Sequence, residues 1–182
     1  MKSKTVDPIT NLKDIKSIKK LLAGNQRDLT IFTLGINTNL RASDILGIKV
    51  GQVKDKEELV LTEKKTGKSR RITMNNAVQK EITALLDTKT HDDDDFLFTG
   101  QRGALRVPTL SKMVKGWCKE INLKGNYASH SMRKTFGYHQ RVTFGTSLPE
   151  LMVIFNHSTQ KQTLDYLCVQ DEEIKNIYKN EI

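Results

Sequence analysis

Apolar residues return every three or four positions through most of this chain, and that period constrains what it can fold into. In residues 11–22, Leu12, Ile15, Ile18, Leu21 and Leu22 fall on one helix face, and Gly24 stops the run. The same period predicts helices over 28–39, 42–46 and 75–86, the last with Val78, Ile82, Leu85 and Leu86 as its stripe. Further helices are expected over 108–121 (with Trp117 as a core residue), 129–142, 147–155, 161–167 and 171–180. Two β-prone runs interrupt the pattern, at 58–62 and 70–74, with Gly67 between them, and they read as a hairpin. Phe96-Leu97-Phe98 reads as a short buried strand before a turn at 100–103. The fold class that follows is α+β, mostly helical, with a small antiparallel hairpin or three-stranded sheet.

With 182 residues and no Gly/Ser/Pro linker, the chain reads as one domain over 1–182, its core at 11–180. No run of about eighteen apolar residues offers a membrane span, and no apolar segment follows the N-terminal charges as in a signal peptide. A cytoplasmic protein is expected. Cys118 and Cys168 stand without CxxC or paired-histidine spacing, so free thiols are expected and no metal or cofactor is called for. The acidic run at 92–95 reads as a solvated turn. Lysine and arginine number 30 against 21 acids, a net charge of +9, which suits a polyanionic partner such as nucleic acid.

Several polar residues stand where chemistry is conceivable. His130 and Arg133 are three apart, one turn from each other on a helix. His157 sits at a helix end, and Tyr166 follows nine positions later. Far upstream, Arg41 occupies a helix junction with Asp44 three residues on. Lys64, Lys65 and Lys68 give the hairpin a basic tip around Thr66-Gly67.

Taken together, Leu40-Arg41-x-Ser43-Asp44, Lys65-Thr66-Gly67, His130-x-x-Arg133, His157 and Tyr166 resemble, in order and spacing, the catalytic domain of the tyrosine recombinase (phage integrase) family. The resemblance runs from about Leu12 to Tyr178. It implies that fold and a site-specific DNA recombinase or integrase acting on double-stranded DNA, nucleoid-associated and of bacterial, phage or mobile-element origin. In that chemistry Tyr166 attacks the scissile phosphate, leaving a 3′-phosphotyrosine and a free 5′-hydroxyl. Arg41 and Arg133 would grip the phosphate oxygens, because guanidinium stays charged and offers a planar fork of donors. His130 would assist proton transfer from Tyr166, since a phenol with a pKa of about 10 is mostly protonated at neutral pH. His157 would donate to a phosphate oxygen, and Lys65 would protonate the departing 5′ oxygen. Lys64 and Lys68 are alternatives for Lys65 if the alignment slips. Asp44 would support the site through hydrogen bonds, and Lys64, Lys68, Arg70, Arg71 and Lys134 would contact DNA.

Two departures from the family stand out. Phe155-Asn156-His157 replaces the usual Leu-Gly-His, a change the turn survives because Asn tolerates left-handed backbone. The core-binding domain that usually precedes the catalytic domain is not expected here. Residues 168–182 read as a tail, exchanged between protomers of a DNA-bound homo-tetramer or packed on its own domain in a solution monomer. Two other functions stay open: a non-cleaving DNA-binding regulator, and a type IB topoisomerase-like enzyme. Cleavage of a nicked substrate separates the regulator from both enzymes.

Overall fold

The computed structural model describes residues 5–62, 69–101 and 103–167, together with Lys175, Tyr178, Lys179 and Glu181. Lys64, Lys65, Lys68, the tail's other residues and the expected helix over 171–180 lie outside the described residues.

Helices α1 (Leu12–Leu22), α2 (Gln26–Asn37) and α3 (Ala42–Leu46) come first. Asn11 and Asn25 cap α1 and α2 by accepting backbone N–H bonds with their side chains. Strands β1 (Glu58–Thr62) and β2 (Ser69–Thr73) then pair antiparallel, with Leu61 opposite Arg70 and Val60 opposite Arg71. After α4 (Asn76–Leu86) come the two-residue strands β3 (Thr99–Gly100) and β4 (Gly103–Ala104), followed by α5 (Val107–Glu120) and α6 (Ser129–Val142). Helices α7 (Leu148–Phe155) and α8 (Gln160–Leu167) complete the described order.

The expected elements are present with shifts of one or two residues, except around Phe96. That residue makes only an isolated bridge to Lys49, and the strand lies further on, at Thr99–Gly100, running into the expected turn. Leu97 donates its N–H to Ile48 (2.8 Å) and both Leu97 and Phe98 are buried, so the run is an anchor for the core. The small sheets among the described residues are two-stranded; none has three strands.

α2 is the central helix of the main core. Ile31, Phe32 and Leu34 are wholly buried, and Phe32 meets Trp117 edge to face. Cys118 is buried beside them, and burial, with Asp14 nearby, pushes its thiol up to about 12, so it stays protonated. At Gly35 a Cβ would lie 2.7 Å from Met132 Sδ, so glycine there lets α6 press against α2. On the far side of α6 a second, smaller core forms from Leu151, Phe155 and Leu167, with Phe136, Tyr138, Leu164 and Tyr166 packed against it. α6 therefore separates and joins two hydrophobic bodies.

Candidate active site

The site assembles on the α6 face that looks towards α7 and α8. Arg41 is placed by its turn: Leu40 is buried, and Arg41 caps α3 in extended backbone, its N–H donating to Asp44 Oδ2 at 3.0 Å. Its side chain points to solvent. Asp44 thus holds the segment that carries Arg41.

Arg133 is only 6% exposed. Its Nε donates to Asn39 Oδ1 at 2.7 Å, and its Cζ lies 5.3 Å from the Phe155 ring centroid. Burial lowers the Arg133 pKa and the field of Tyr166 raises it; Arg41 and Arg70 lower it further and Asp44 raises it. That pattern places two more guanidiniums, a carboxylate and the tyrosine within electrostatic reach of one buried arginine. Side chains alternate along β2, so Arg70 shares the inward face with Ile72 while Arg71 points outward to pair with Glu58 at 3.3 Å. Arg70 joins the cluster; Arg71 does not.

Tyr166 is boxed by aromatic rings. His130 stands edge-on at 5.4 Å between centroids, His157 at 5.3 Å and Phe155 at 4.9 Å, and the tyrosine hydroxyl is shielded from solvent. His130 keeps an exposed edge, but packing against Tyr166 desolvates the ring. That desolvation, then the charges of Arg133, Lys134 and Arg41, lowers its pKa below the ordinary imidazole value. His157 is lowered by burial and by Arg133. Its Nδ1 lies 3.0 Å from the Thr163 hydroxyl, one turn before Tyr166 on α8.

The turn that presents His157 follows from Asn156. This residue is left-handed (φ 55°, ψ 48°), and the His157 N–H reaches back to the Met152 carbonyl at 2.9 Å. That is the usual way a helix ends on a left-handed residue, with Asn in place of Gly. Pro149 and a Ser147–Glu150 capping box fix the other end of α7.

Lys134 requires a correction. Expected at the DNA face, it is 2% exposed, with Nζ 5.4 Å from the Tyr166 ring centroid. That burial sets it against the tyrosine as a cation under the ring, not as an open contact on the protein surface. The sequence reading also missed Asn39 and the Phe155 platform, since partners 94 and 22 residues from Arg133 leave no local signal. Of the remaining tyrosines, Tyr127 is buried away from this cluster and donates to the Lys124 carbonyl. Among the described residues no three His, Cys, Asp or Glu side chains are grouped so as to hold a metal ion.

A tyrosine, two histidines and clustered guanidiniums come together from α3, β2, α6 and α8 and the end of α7, and similarity to known proteins decides the family. The profile described as Phage integrase family matches residues 10–173. The chain belongs to that family. It is 34% identical over 179 residues to the probable integrase/recombinase YoeC of Bacillus subtilis, covering 96% of both chains. It is 28% identical over 171 residues to the tyrosine recombinase XerC of Caldanaerobacter subterraneus, covering 88% of this chain and 48% of that protein. The crystal structure of XerA recombinase shares the fold, with a TM-score of 0.78 at 18% identity over 98% of this chain and 68% of that one. This integrase-family chain is thus of the class that breaks and rejoins DNA through tyrosine, and it spans about half the length of its XerC relative. No described helix is long and apolar enough to cross a membrane.

Proposed function

We propose that this chain carries out site-specific recombination with Tyr166 as the nucleophile. The observation that carries the reading is the packing of Tyr166 between His130 and His157, beside the buried Arg133 whose charge is coupled to Arg41 and Arg70.

In the forward step the Tyr166 oxygen forms a bond to phosphorus and the bond from phosphorus to the 5′ oxygen breaks. The phenol proton leaves to His130, whose lowered pKa keeps it neutral and able to accept at pH 7. Lys134, held against the ring, favours the phenolate as it forms. Charge building on the non-bridging oxygens is met by Arg133 and Arg41, with His157 donating beside them. Preorganised donors aimed at such developing charge lower a barrier most. Lys65 supplies the proton to the departing 5′ oxygen. One phosphodiester is exchanged for another, so rejoining is the same step reversed and needs no nucleotide cofactor.

Double-stranded DNA is the substrate, and the net charge of +9 supports it. Arg41, Arg70 and the hairpin lysines Lys64 and Lys68 would meet the backbone. A homo-tetramer on DNA is part of this reading. The apolar face of α7, where Val153 is 81% exposed, offers a seat for residues 168–182 of a neighbouring copy.

The test is a selection. The protein is incubated with a pool of nicked duplexes of random sequence, denatured and recovered, and the attached DNA is sequenced. Wild-type protein is expected to retain a defined set of duplexes covalently, and Tyr166→Phe none. Binding with no covalent product would instead support the regulator. Relaxation of supercoiled plasmid without strand exchange between two recovered sites would support a topoisomerase.

A further inference from the structure

Asn39 makes two hydrogen bonds that join three parts of the site. Its Oδ1 accepts from Arg133 Nε at 2.7 Å, and its Nδ2 donates to the carbonyl of Ile154 in the last turn of α7. The residue is 6% exposed and lies two positions before Arg41. The amide orientation is set by its partners, because the Arg133 Nε–H can only donate and the Ile154 carbonyl can only accept. A carbonyl in the last turn of a helix lacks an intrahelical donor, so this bond also completes α7.

We propose that Asn39 is a positioning residue for the cleavage reaction, setting the plane of the Arg133 guanidinium and locking α7 to it. A guanidinium on a flexible stem can rotate about its last bonds, and a bidentate grip on phosphate works in only one of those orientations. Asn39 takes the Nε–H, and Phe155 covers one face of the group at 5.3 Å. The plane is then fixed and the Nη groups are turned to the phosphate. Through Ile154 the same amide holds the helix end that carries Phe155 and His157, so the clamp and the tyrosine's surroundings move as one. Arg133 touches the phosphate; Asn39 acts through it.

This inference rests on the recombinase reading for its kinetic consequence but not for its structural one, and the test separates the two. The first measurement needs no DNA. In the NMR spectrum the Arg133 Nε–H, assigned by its loss in Arg133→Lys, should exchange slowly with water in wild type. It should exchange at least tenfold faster in Asn39→Ala and stay slow in Asn39→Asp, which keeps the acceptor. Exchange unchanged in Asn39→Ala overturns the proposal, whatever the protein does to DNA.

The second measurement is single-turnover cleavage of the duplex recovered most often in the selection above, made with an ordinary or a methylphosphonate linkage at the scissile position. The methylphosphonate lacks the negative charge that Arg133 meets. Asn39→Ala should slow the ordinary duplex by about 10²-fold, as loss of one oriented donor does, and the methylphosphonate by less than about fivefold. DNA affinity should change little. Equal slowing of both duplexes would mean a general structural role and would overturn the proposal. Should Asn39→Ala fail to fold, Asn39→Asp decides. Its carboxylate cancels part of the charge offered to phosphate and repels the Ile154 carbonyl, so wild-type cleavage by Asn39→Asp is the contrary result. A wild type that forms no covalent product with any duplex sinks the recombinase reading and leaves the exchange measurement to judge Asn39.

Discussion

The two hydrophobic bodies of this molecule differ in size and carry different parts of the proposed site. The larger extends from Ile9 through α1 to α5 and takes in Met132 of α6; Arg41 stands directly on it through Leu40. The smaller is built on Leu151, Phe155 and Leu167 and carries His157 and Tyr166. Arg133 lies at the seam, on a helix both share. In the proposed reaction Arg41 of the phosphate grip therefore rests on the larger core, while Tyr166, the proposed nucleophile, sits on a body with few buried residues of its own. Stability is distributed unevenly in this way in many proteins, and segments that must move come from the weaker end. A nucleophile that has to approach, bond and leave one phosphate gains from such a seat.

The largest expected effect is in hydrogen exchange. Amides of α2 should exchange only by global unfolding, whereas those of α8 should open locally and exchange about a hundredfold faster or more. Equal protection in the two helices would remove the distinction. Gly137→Ala strikes the seam itself. An added Cβ would lie 2.5 Å from Leu167 Cδ2 and 2.6 Å from Phe155 Cζ, both buried, so α7 and α8 must shift away from α6. Displacement of a reacting group by about 1 Å can cost 10²-fold. Cleavage should fall by about that factor while hydrogen exchange in α2 stays as in wild type.

Lys134→Met removes the buried cation at the tyrosine ring and nearly preserves volume. It should slow cleavage about tenfold, on the scale of a desolvated cation–π contact of about 2 kcal/mol or less, with little change in the salt dependence of DNA binding. A reduced salt dependence would restore Lys134 to the DNA face. The pH profile gives a smaller effect. Because His130 is lowered by desolvation and by Arg133, Lys134 and Arg41, it stays neutral below the ordinary imidazole value near 6.5. Cleavage should hold as pH falls through about 6.5 and decline only below it. The folded state also binds fewer protons than the unfolded one in that interval. This histidine's contribution to stability is thus full above about pH 6.5 and is lost as pH falls towards its folded value. Lys134→Met should move the decline in cleavage upward.

Much of the fold was legible in the sequence because helices announce themselves by period. The bounds of α3 and α6 agree with it, and the left-handed turn at Asn156 follows from the residue type. Phe96-Leu97-Phe98 misled because three apolar residues in a row say only that a segment is buried, and its pairing reduces to one bridge. The candidate site was legible as a list of residue types in order, and much less as geometry. Strand alternation already contained the difference between Arg70 and Arg71, but which face turned inward depended on packing. Lys134 was expected at the DNA face because charge argues for exposure, and its burial against Tyr166, 32 residues on, leaves no local signal. Asn39 was invisible, since its two partners lie 94 and 115 residues away.

The central claim is that one phosphate is attacked by Tyr166 and no other side chain. Protein trapped on a recovered duplex can be digested with nuclease and protease and its peptides weighed. The peptide containing Tyr166 should carry the added nucleotide, attached through its 3′ phosphate to the phenol oxygen. A nucleotide on Tyr127, Tyr138 or Tyr178, or a trapped product that persists in Tyr166→Phe, would contradict the account.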